Sequence, residues 1–152
     1  MTWYELWLFL HIAGTIVWAG GAVAVQVFGV LTQRAGDPAQ SAALGRNVGV
    51  LGTWVFMPSS AVVLVTGVLL TEDGNWPWGE PFVVLGLLGW LAVAGAGFGY
   101  VSPQMKKLGR RMAAEGPSPE LAGRLQSVVL LARGLVLLLF VIVFLMVVKL
   151  GT

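Results

Sequence analysis

Apolar residues run almost unbroken through four stretches, at about residues 3–31, 48–71, 81–101 and 125–148, and polar positions gather in the three segments between them. A bilayer-spanning helix needs about 20 consecutive, mostly apolar residues, and every stretch reaches that length. The connections are short, so consecutive helices should be antiparallel neighbours. The pattern predicts an all-α fold, an antiparallel bundle of four transmembrane helices forming one domain over residues 1–152.

The three connections differ in charge. Thr32 to Asn47 carries Arg34, Asp37 and Arg46, with Asp37-Pro38 as a turn signal. Thr71 to Glu80 reads TEDGNWPWGE, acidic and rich in Trp, Pro and Gly, and Ser102 to Arg124 carries Lys106, Lys107, Arg110, Arg111 and Arg124. Because Lys and Arg are retained on the cytoplasmic side, the first and third connections are expected inside, and the second and both termini outside. Trp3, Tyr4, Trp7, Trp76 and Trp78 would then form an aromatic belt at the outer surface. The first five residues hold no Lys or Arg, so the first stretch is expected as a retained helix, not a cleaved signal.

Composition agrees with a membrane setting. Hydrophobic residues make up 57% of the chain and charged residues only 11%, against about 25% charged in soluble domains. The absence of cysteine excludes disulfides, iron–sulfur clusters and thiolate metal sites. Lipid offers no hydrophobic drive between helices, so close contact must come from small residues. Gly45-x-x-x-Gly49 and Gly95-x-x-x-Gly99 are the expected contact faces, and no internal repeat stands out.

The single histidine, His11, lies within the first apolar stretch, where an ionisable side chain marks a candidate site. Helical spacing places Tyr4, Trp7, His11, Thr15, Trp18 and Ala22 on one stripe, with Gly14 and Gly21 beside it. An imidazole between aromatic rings, with small residues below, could seat a planar cofactor; equally, His11 could hydrogen-bond a neighbouring helix while the tryptophans anchor the interface. Thr66 of the second stretch falls at the depth of His11, which permits a His11–Thr66 hydrogen bond under either reading. Pro58 should kink that second helix and free a carbonyl for Ser or Thr hydroxyls.

Arg133 is the other charge inside an apolar stretch, roughly 10–15 Å in depth from His11, with Gln26 as a neutral partner at its side of the membrane. It could hold the far end of a large anionic ligand or reach the headgroups. The Lys106-Lys107-x-x-Arg110-Arg111 run reads as a topology signal and an attractor of anionic lipid, not of nucleic acid. Acidic residues lie in connections or at helix ends, which argues against a proton path through the bundle.

His11 followed after six residues by Trp18-Ala-Gly-Gly resembles the opening helix of three bacterial membrane families: the copper-resistance D proteins, the HemJ-type protoporphyrinogen oxidases and an uncharacterised four-helix family. Pro58, Thr66-Gly67 and Ser102-Pro103 look most like the last of these. The resemblance implies a multi-pass protein of the bacterial inner membrane. Its HemJ side implies haem b, with His11 as ligand.

The function expected is therefore an intramembrane site for haem or a porphyrin-like ligand. That site is centred on His11, with Trp7, Thr15, Trp18, Thr66 and Arg133 around it, and Met146 is the candidate second metal ligand in the same half of the bilayer. With one histidine per chain, a bis-histidine haem would need two copies, which leaves a homodimer open. A non-catalytic packing or assembly protein without cofactor is the alternative. Copper handling comes third, since Cu(I) favours Cys and Met and the chain has no Cys and five Met.

Overall fold

A computed structural model describes residues 2–149, which leaves Met1 and residues 150–152 of the expected domain outside the described chain. Six α-helices follow in order: α1 (Trp3–Ala35), α2 (Pro38–Leu51), α3 (Met57–Asp73), α4 (Pro81–Ala96), α5 (Ser102–Glu115) and α6 (Pro119–Val148). Two wider π-turns, Gly52–Phe56 and Gly97–Val101, join α2 to α3 and α4 to α5 without a break. The result is four continuous rods, Trp3–Ala35, Ala39–Asp73, Pro81–Glu115 and Pro119–Val148, each long and apolar enough to cross a membrane. The expected four-helix bundle is the fold.

The rods run well past the apolar stretches at one end. The first and third connections, expected as loops, are mostly helix, because Lys, Arg, Ala, Met and Glu are good helix formers whether or not lipid surrounds them. The chain turns only where the backbone demands it. Gly36 and Gly116 take positive φ angles of 65° and 78°, and Asp37 and Ser118 then cap the next helices with their side chains. This is the basic end of the bundle; the Trp-rich end holds the start of α1 and the α3–α4 turn.

Both π-turns have the same cause. Pro58 and Pro103 lack an N–H, and their rings crowd the carbonyl four residues back. The residue before each proline instead reaches five back: the Met57 N–H bonds the Gly52 carbonyl, and the Ser102 N–H bonds the Gly97 carbonyl. At Pro58, where a kink was expected, the helix widens into this turn, and the Ser59 hydroxyl donates to the Val55 carbonyl at 2.6 Å.

Contact between α1 and α3 follows an antiparallel register. A Cβ added to Gly14 would sit 3.0 Å from Val63, one on Gly67 would sit 3.3 Å from the His11 ring, and one on Gly21 would overlap Phe56 at 2.5 Å. On the other side, α4 and α6 meet where Gly86 and Gly89 receive Met146 and Ile142. The Gly45/Gly49 and Gly95/Gly99 faces do not carry these contacts. An added Cβ at Gly45, Gly95 or Gly99 meets nothing within 4 Å, and at Gly49 only the Lys106 side chain.

The core is small, as lipid permits. Trp18, Ala19, Val93, Ala94, Leu139 and Ile142 form its centre, while Phe9, Ile16, Leu137, Phe144 and Val147 point outward. A second cluster of Leu108, Leu121 and Val128 closes α5 onto α6 at the basic end.

Candidate functional site

His11 sits half-buried in the α1–α3 seam, its ring against Gly67. Its Nδ1 lies 3.1 Å from the Thr66 hydroxyl, the bond the two depths allow. Thr66 donates its own proton to the Val62 carbonyl at 2.6 Å, so it can only accept from the ring. The proton of a neutral imidazole is therefore on Nδ1, and the lone pair is on Nε2. Thr15 adds nothing to the ring itself; its hydroxyl folds back onto the His11 carbonyl at 2.8 Å.

The other residues expected around His11 are elsewhere. Trp7 stacks on Trp3, with ring centroids 5.7 Å apart. Trp18 is buried in the bundle core. The Met146 methyl occupies the notch of Gly86 on α4. Arg133 is exposed on α6, in a groove shared with Gln33 and Gln126, whereas Gln26 faces a different cavity. Within one chain these residues do not fit a haem held on His11: the imidazole is suitably oriented by Thr66, but no shared cavity brings it together with Trp18, Met146 and Arg133. Among the described residues, no three His, Asp or Glu side chains gather as a metal site.

Sequence reading missed the central cleft. All four rods line this space of about 160 Å³. Trp18, Val93 and Leu139 form its floor, Phe56 and Phe98 its walls, and both π-turns border it. Its polar side chains are Gln26, Ser102 and Lys106, all toward the basic end. Lys106 forms no ion pair among the described residues. The two G-x-x-x-x-x-P segments, Gly52 to Pro58 and Gly97 to Pro103, were the available signal, because π-turns often mark functional places in membrane helices.

A second missed feature lies beside the core. The Trp90 indole donates to the Ser60 carbonyl at 3.0 Å, across α4 and α3. At the Trp-rich end, Trp76 meets Phe82 edge-on at 5.2 Å and lies under the Lys149 ammonium at 4.5 Å, while Trp78 donates to Glu72 at 2.8 Å. Trp76 and Trp78 lie at the same end as the Trp3–Trp7 stack that begins α1.

Residues 5–150 match the model of a family described as "Predicted integral membrane protein (DUF2269)". No curated protein and no solved structure matches the chain.

Proposed function

The chain belongs to this family of integral membrane proteins, and we propose that it holds a slender amphipathic molecule, an apolar chain with an anionic head, in its central cleft. The observation that carries the reading is the sorting of the lining. Apolar side chains fill the depth, and the polar groups Gln26, Ser102 and Lys106 gather at the basic end. An acyl-like tail would replace no hydrogen bonds on entering such a floor, and a carboxylate or phosphate would meet the Lys106 ammonium and two hydrogen-bonding neighbours. The volume favours a narrow guest, since pockets for drug-sized molecules span about 300–1,000 Å³.

The test is photolabelling of the purified protein with a diazirine-bearing fatty acid, followed by peptide mapping. Wild type should be labelled on cleft residues. Gly97→Leu, which fills the cleft at a glycine with free space beside it, and Lys106→Gln should each reduce that labelling. Labelling unaffected by both variants would overturn the reading.

A second reading keeps metal chemistry at His11. One observation favours it: a metal-ligating histidine characteristically donates its other ring N–H to an oriented oxygen, as His11 does to Thr66. With one histidine in the chain and Met146 committed to Gly86, a haem in this reading would be held by His11 alone or by the half-buried His11 imidazoles of two copies.

A further inference from the structure

We propose that Arg133, with Gln33 and Gln126, binds the phosphodiester headgroup of a membrane lipid in a groove between the basic-end parts of α1, α5 and α6. The groove is about 360 Å³, with Met112, Leu125 and Leu130 among its apolar walls. Three hydrogen-bond-donating side chains therefore face an otherwise apolar space. It is separate from the central cleft and independent of what that cleft holds.

Charge accounting carries the assignment. Arg133 lies near the middle of a helix whose surroundings are apolar on both sides, and a guanidinium there requires an anion or a polar escape. Among the described residues, no carboxylate pairs with it. At the basic end, Glu115 is paired with Arg111 at 3.1 Å and Glu120 with Arg124 at 3.2 Å, while Asp37 caps α2. Glu5, Glu72, Asp73 and Glu80 belong to the opposite end. Arg133 has no ion pair of its own among the described residues.

Lipid chemistry fits what is left. A phosphodiester offers two acceptor oxygens to a planar guanidinium, the geometry Arg binds bidentately, and the amides of Gln33 and Gln126 can donate to the same group. The acyl chains of that lipid would lie along the apolar outer faces of α6, where Leu130, Leu131 and Leu137 are exposed. The basic run Lys106, Lys107 and Arg110 at the same end favours an anionic lipid over a zwitterionic one.

The experiment is thermal unfolding of the detergent-purified protein titrated with short-chain phosphatidylglycerol, with phosphatidylcholine and inorganic phosphate in parallel. Phosphatidylglycerol should raise the melting temperature of wild type at the lowest concentration. Arg133→Leu, which suits the apolar setting and should fold, is expected to need about fivefold more lipid, the factor matching ~1 kcal/mol for one interfacial basic side chain. Arg133→Lys should fall between the two, keeping the charge without the fork, and Arg133→Gln guards against a folding defect peculiar to Leu. Equal lipid responses of wild type and both Arg133→Leu and Arg133→Gln would overturn the proposal, as would inorganic phosphate reproducing the shift without lipid.

Discussion

The Trp90 indole and the Ser60 carbonyl, thirty residues apart in the chain, form a 3.0 Å hydrogen bond that ties α4 to α3. Ser60 is 2% exposed, so its carbonyl has no water to take the place of the indole. The bond matters because α3 and α4 otherwise touch little; α1 is the main neighbour of α3, and α6 that of α4.

Trp90→Phe removes this donor while keeping an aromatic ring. The variant should lose about 0.5–1.5 kcal/mol of stability, the net worth of one such bond. Trp54→Phe, at a site 76% exposed, should be neutral. Denaturant titration in detergent compares the two, and equal effects would show that the bond contributes nothing specific.

The glycines separate into contacting and idle sets, and substitution should read out the difference. Gly21→Ala would drive a methyl into the Phe56 ring and Gly89→Ala into Ile142, both at 2.5 Å before relaxation. Each should cost about 1–3 kcal/mol. Gly95→Ala and Gly45→Ala meet open space, so they should be neutral or stabilise by up to about 1 kcal/mol through helix propensity. Melting temperatures of the four variants decide it; a costly Gly95→Ala would restore the Gly95-x-x-x-Gly99 face as an interface.

These glycines also show how far the sequence could be read. The four spans were legible because twenty apolar residues in a row admit few alternatives. The His11–Thr66 pair was legible because a short turn fixes antiparallel depth, and depth alone brings the two level. Gly95-x-x-x-Gly99 misled because small residues permit approach without naming a partner; Gly86 and Gly89 on the same rod face α6 instead. The extended helices at the basic end were masked by charges that read as loop. The cleft and the Trp90–Ser60 bond depend on helix rotation about its axis, which the π-turns reset and hydropathy does not encode.

Orientation follows from charge and can be measured directly, because the chain has no cysteine to interfere. Gly74 lies at the Trp-rich turn and Gly109 on basic α5. A single cysteine at 74 should react with an impermeant maleimide on intact cells, and one at 109 should react only after lysis. Outside labelling at 109 would reverse the topology and place the cleft mouth and the Arg133 groove on the other leaflet.

His11 separates the metal reading from a packing role. If Nε2 ligates haem between two copies, wild type expressed with haem supplied should show a Soret band and run as a dimer. His11→Leu should abolish the band and, where haem holds the copies together, yield monomer, because Leu offers no electron pair. Thr66→Val should weaken haem retention without abolishing it, since it removes the partner that orients the ring while leaving the imidazole. If His11 only satisfies α3, the colourless wild type and His11→Leu should differ in stability alone. A double-mutant cycle with Thr66→Val should then give a coupling of about 0.6 kcal/mol, as is usual for hydrogen bonds between membrane helices. A colourless wild type, or a Soret band identical in His11→Leu, would remove haem from this histidine and leave the α1–α3 seam as its whole role.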